Sequence, residues 1–107
     1  MPDRIEETPE LRRLRKRIDA LDRRLVDLLN ERATLAREAG RAKTAAGRRA
    51  IRDAEREREV LLRVSMANTG PLPQADLVAL YRRLFVATRA LEARDRRSGT
   101  SASDDGG

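Results

Sequence analysis

The chain has 107 residues and a formal net charge of +6; 39% of its residues are charged, 2% are aromatic, and it holds no cysteine and no histidine. That length closes one domain with a modest interior, and the missing side chains exclude disulfides, thiolate or imidazole catalysis and the usual zinc sites. A composition dominated by Leu, Ala, Arg and Glu predicts long helices rather than sheet, while the positive charge suits nucleic acid, a membrane surface or an acidic metabolite alike.

Met1 to Glu10 has no apolar core of signal-peptide length and no later run is apolar enough to span a bilayer, so a cytoplasmic protein is expected. Thr8-Pro9-Glu10 reads as a helix start: a hydroxyl cap, proline at the first helical position and an acid near the positive end of the dipole. Leu11, Leu14, Ile18, Leu21, Leu25, Leu28, Leu35, Ala39 and Ala42 then recur at alternating spacings of three and four, a heptad seam lasting to about Ala46. A helix of roughly 55 Å is longer than one compact subunit of this size is wide, and it needs a partner chain along its length. Gly47 and the arginines after it break the pattern. A second helix is expected from about Arg52 to Ala67, with Ala54, Leu61 and Val64 on one face, and Asn68-Thr69-Gly70-Pro71-Leu72-Pro73 ends it. A third begins near Pro73, turns Leu77, Leu80, Tyr81, Leu84, Phe85 and Leu91 inward and fades around Arg96, leaving residues 97–107 as a disordered tail. The domain organisation read from this is an extension at 1–8, a helical domain at 9–96 and the tail.

Polar residues interrupt each apolar stripe. In the first helix the a/d position between Leu28 and Leu35 is Arg32, and an unpaired buried charge costs several kcal/mol, so Arg32 should face an anion. Lys43 lies about 20° around the helix from it and roughly 16 Å along, a spacing from which two long cationic side chains can reach one small anion. Glu57 falls between Ala54 and Leu61, and Thr88 and Glu92 stand four apart on the stripe that Tyr81 and Phe85 begin. For any one of them a structural ion pair is an adequate explanation; recurrence on all three helices points to a shared polar interior. Arg12, Arg13, Arg23, Arg24, Arg82 and Arg83, interleaved with acids, read as a solvated face.

The stretch Leu14-Arg15-Lys16-Arg17-Ile18-Asp19-Ala20-Leu21-Asp22, followed by Leu28-Leu29-Asn30-Glu31-Arg32, resembles the first helix of the all-helical chorismate mutases. So do Gly40-Arg41-Ala42-Lys43, Arg52-Asp53-Ala54-Glu55-Arg56-Glu57 and Thr88-Arg89-Ala90-Leu91-Glu92, in the family's order. The resemblance implies an all-α, three-helix subunit with one very long N-terminal helix, paired as an intertwined homodimer that shares its active sites, working without metal or cofactor. It implies that Arg15 and Arg32 hold the two carboxylates of chorismate, and that Lys43 bonds a carboxylate and the ether oxygen of the breaking bond. Asp53 and Glu57 take the ring hydroxyl, Thr88 stands where the family often has serine near a carboxylate, Arg56 supports the site, and Glu92 occupies a position where many members have glutamine. Because Arg15 and Arg32 lie about 25 Å apart along one helix, Arg15 has to come from the partner subunit.

The implied reaction rearranges chorismate to prephenate: one C–O bond breaks as one C–C bond forms, with no proton transfer. The protein restricts the flexible dianion to its reactive shape and places positive charge where negative charge grows on the ether oxygen. An ionised Glu92 would repel that oxygen, so Glu92 has to act as the neutral acid; burial favours that form and Lys43 opposes it. An isochorismate pyruvate lyase or a 4-amino-4-deoxychorismate mutase on the same scaffold would keep the carboxylate grips and differ near Asp53 and Glu57. Readings of another class are a regulatory partner, including a noncovalent one, of a shikimate-pathway enzyme, and a basic nucleic-acid-binding helical protein. Against the last, the only aromatics are Tyr81 and Phe85, both on an apolar face, which leaves no platform for base stacking.

Overall fold

A computed structural model describes residues 7–48 and 52–106. Among the described residues there are three helices, α1 (Pro9–Ala45), α2 (Ala54–Ala67) and α3 (Gln74–Gly106), and no strand. None of the helices is long and apolar enough to cross a membrane.

The ends of α1 are where the local chemistry requires them. The Leu11 N–H donates to Thr8 Oγ1 at 3.1 Å, so Thr8 satisfies a donor that the first turn leaves open, and Pro9 occupies the position where a missing N–H does no harm. At the other end Gly47 takes φ +84°, with its N–H on the Thr44 carbonyl at 3.0 Å and the Arg48 N–H on the Lys43 carbonyl at 2.9 Å. These paired bonds form a Schellman turn, which needs the left-handed conformation that glycine adopts without strain. Lys43 thereby falls in the last turn of α1, where the helix dipole favours a cation.

The chain divides into two compact units, Met1–Thr34 and Leu35–Gly107. In the first, α1 presents its seam to solvent: Leu14 is 41% exposed, and Ile18, Leu21, Leu25 and Leu28 are 53–55% exposed. Fully burying such a side chain is worth about 1.5–3 kcal/mol and roughly half of that area is still open, and a contiguous apolar stripe of this kind marks an association surface.

In the second unit α2 packs on α3. Phe85 and Thr88 are its most buried residues, at 7% exposure each, and Tyr81 meets Phe85 edge to face with ring centroids 6.2 Å apart. The start of α2 differs from the periodicity. The helix begins at Ala54 because Asp53 caps it, Oδ1 accepting the Arg56 N–H at 3.0 Å, whereas the pattern put Arg52 and Asp53 inside it. Ala54 and Leu80, expected inward, are exposed, Leu80 at 59%; their stripes are wider than one neighbouring helix covers. The backbone of α3 also continues past Arg96 to Gly106, where the composition predicted that helix would fade. No proline follows Pro73 to stop it, and each added residue makes one further backbone bond on a helix already nucleated.

Removing the α2 cap has a measurable cost. Asp53→Ala should lower stability by about 1 kcal/mol, read as a fall in the urea midpoint at fixed protein concentration, whereas Asp53→Asn, which keeps an acceptor oxygen, should restore most of it.

Candidate active site

Glu92 is the centre of a polar cluster inside the second unit. It is half-buried on α3, four residues after the buried Thr88. Its side chain lies against α1 at Gly40: a Cβ on Gly40 would stand 3.1 Å from Glu92 Cγ and 3.2 Å from Cδ. Glycine there costs about 1 kcal/mol of helix propensity, and in return the Glu92 carboxyl reaches the helix surface one turn before Lys43. Burial pushes the Glu92 carboxyl above its ordinary range; Lys43 and Arg89 pull it down, and the negative charges of Asp95 and Glu57 push it up. Burial therefore outweighs Lys43, the contest the residue pattern left open. The arrangement stations a carboxyl whose protonated, donating form is favoured relative to a free glutamate within the field of a lysine.

Glu57 on α2 is held differently. Its Oε2 accepts from Arg89 Nη1 at 2.5 Å and its Oε1 faces Arg52 Nε at 3.4 Å, with the side chain 16% exposed. Two guanidinium groups satisfy a carboxylate that would otherwise be costly to bury. Thr88 donates its hydroxyl to the Leu84 carbonyl at 2.9 Å, so its oxygen keeps acceptor capacity while its donor is engaged.

Lys43, Glu57 and Glu92 are thus brought into one electrostatic neighbourhood, with Thr88 one turn away. Two other expected residues are not. Asp53 uses Oδ1 on the α2 cap and has Arg48 3.6 Å from Oδ2, and Arg56 turns to Glu59 at 3.1 Å on an exposed face. In the first unit Arg15 is exposed and paired with Glu7, and Arg32 is half-buried.

A sequence profile described as chorismate mutase type II matches residues 14–93. The chain belongs to that family. Among curated relatives, the bifunctional chorismate mutase/prephenate dehydratase of Stutzerimonas stutzeri is 39% identical over 92 residues, 82% of this chain and 25% of that protein. Its counterpart from Aquifex aeolicus is 41% identical over 87 residues, 78% of this chain and 24% of that one. The chain therefore spans about a quarter of the length of these relatives. Among solved structures, chorismate mutase from Thermus thermophilus in form II superposes with a TM-score of 0.75 at 35% identity, covering 79% of this chain and 96% of that one. Form I gives 0.70 at 34% identity, covering 74% and 98%. The helical fold is that of the chorismate mutases.

Every residue that the resemblance singled out, from Arg15 to Glu92, lies within the stretch matched to the type II mutases. Four participants were missed: Arg89 and Arg52, which hold Glu57, and the pair Arg37 and Asp95. Asp95 was within reach of pattern reading, since Tyr81, Phe85, Thr88, Glu92 and Asp95 continue one stripe at spacings of three and four. Arg89 had no such signal, because its place depends on where α2 docks.

Proposed function

We propose that this chain catalyses the rearrangement of chorismate to prephenate, and that it does so as an intertwined homodimer whose two sites are each built from both subunits. The observation that carries the reading is Glu92, a half-buried carboxyl raised toward its neutral form in the field of Lys43, at a position inside the family match. The exposed leucine seam of α1 supports the dimer, since a second copy supplies an equivalent stripe to cover it.

In this mechanism Arg32 and Arg15 of the partner subunit grip the two carboxylates, and the Thr88 hydroxyl turns from the Leu84 carbonyl to donate to one of them. Asp53 and Glu57 orient the ring hydroxyl, Glu57 held by Arg89 and Arg52, and Arg56 supports the α2 side. With the dianion locked in its reactive shape, the ammonium of Lys43 and the neutral carboxyl of Glu92 both donate to the ether oxygen as the C–O bond lengthens. No proton has to leave the protein. The work is done by fixed charge and restricted motion, which supply the larger part of many rate enhancements. The catalytic domain is residues 9–96, working in the cytoplasm without cofactor. Relatives that carry chorismate mutase and prephenate dehydratase in one chain support pairing with an enzyme that consumes prephenate.

The test is to follow loss of chorismate by absorbance with chromatographic identification of the product. Prephenate formed from chorismate, with isochorismate and 4-amino-4-deoxychorismate left intact, supports the reading; intact chorismate with a folded dimer overturns it. The acid form of Glu92 adds a second expected result. As pH rises through the elevated Glu92 titration the carboxyl ionises and repels the growing oxyanion, so kcat should fall on the alkaline side. Glu92→Gln, which donates at every pH, should remove that limb.

A further inference from the structure

One charged pair on the α1–α3 contact is not used by the proposed reaction. Arg37 Nε donates to Asp95 Oδ2 at 2.9 Å and Arg37 Nη2 to Oδ1 at 2.6 Å, a fork on both carboxylate oxygens, with the Asp95 side chain only 18% exposed. Asp95 stands three residues after Glu92 on the same face of α3, and Arg37 stands three residues before Gly40, the glycine against which Glu92 lies. The pair is therefore one turn from the Glu92 carboxyl on both helices. Asp95 lies beyond the stretch that matches the family, which ends at residue 93.

We propose that Asp95, clamped by Arg37, is a positioning residue that keeps Glu92 in its neutral, hydrogen-bond-donating form. The inference rests on the mutase reading for its consequence in turnover, but not for the electrostatics. A carboxylate fixed one turn away disfavours a second negative charge on Glu92, and the bidentate fork prevents it from swinging into solvent. Arg37 is also a cation, so it offsets part of the charge that it holds in place. The other charges facing Glu92 are Lys43 on α1, Glu57 on α2, itself paired with Arg52, and Arg89 on α3; Arg41, 3.8 Å from Asp95, and Arg94 act on Asp95. Asp95 is correspondingly held below the usual carboxylate range, first by the hydrogen bond from Arg37, and remains ionised wherever Glu92 titrates.

The experiment follows the Glu92 side-chain carboxyl by carbon NMR through a pH titration in the full chain, alongside the pH profile of kcat. Asp95→Asn, which keeps the shape and leaves Arg37 and Arg41 unneutralised, should move the Glu92 titration and the alkaline limb of kcat to lower pH. Arg37→Gln, which keeps an amide donor to hold Asp95 while removing the cation that offsets its charge, should move both to higher pH. Asp95→Ser repeats the charge removal with no amide to bond Arg37. A pair serving only to hold the helices together would loosen the site in every variant and carry Glu92 toward its value in water, to lower pH in all three. That result, or no movement in any of them, overturns the proposal. If the NMR shifts take opposite signs while chorismate is untouched, Asp95 controls Glu92 as described and it is the mutase reading that fails. Loss of the kcat shift when Asp95→Asn is placed in a Glu92→Gln background assigns the effect to Glu92; a shift that persists there overturns the assignment.

Discussion

Lys43→Ala is expected to lower kcat for chorismate by roughly 10²- to 10³-fold, the loss typical of removing one donor aimed at a developing oxyanion, with a smaller change in KM. Lys43 sits in the last turn of α1, half-buried, where the Schellman turn closed by Gly47 holds its backbone and the helix dipole favours its charge. In the proposed mechanism the loss falls on kcat, because a contact to the ether oxygen would strengthen as charge builds there. Lys43→Arg should recover little, since a planar fork does not replace a compact ammonium. Lys43→Ala also removes the main influence that draws Glu92 toward ionisation, so the residual activity should keep its acid-form plateau to a higher pH than wild type. Steady-state kinetics decide the case: a raised KM with kcat intact would mean that Lys43 binds the ground and transition states equally.

Mixing two inactive variants should restore activity. Arg15→Ala and Arg32→Ala are each expected to lower kcat/KM by about 10²- to 10³-fold, the cost of leaving a substrate carboxylate without its charged partner. Arg15 and Arg32 are both on α1 and about 25 Å apart along it, too far to grip one small molecule together. If each site takes Arg32 from one subunit and Arg15 from the other, a mixed dimer has one site with both arginines and one with neither. Unfolding the two variants together and refolding them at equal concentration makes half the dimers mixed, so about one quarter of wild-type activity should return. Sites built within single chains would give no recovery, and that outcome would end the shared-site reading.

Local chemistry by itself determined much of this protein. Thr8 and Pro9 start α1 and Gly47 closes it through bonds between residues a few positions apart, so its limits were legible to within a residue or so. The stripe along α3 was legible for the same reason, with Phe85 and Thr88 buried and Glu92 half-buried where the spacing put them. Arg32, Glu57 and Glu92 were visible as charges standing where apolar residues should be, and Lys43 by its place close to the Arg32 face of the same helix, because periodicity is a local property. What a charge faces is not local. Asp53 became a cap when one carboxylate oxygen accepted the Arg56 N–H, the helix-end role that aspartate favours and that the apolar spacing alone did not show. The protonation bias of Glu92 was undecidable from the residues, because burial and Lys43 act with opposite sign and only the approach of α3 to Gly40 sets their ratio. Arg89 on Glu57 and Arg37 on Asp95 are contacts between helices distant in the chain. Electrostatic energy depends on separation and on the water that packing excludes, and both belong to the tertiary structure.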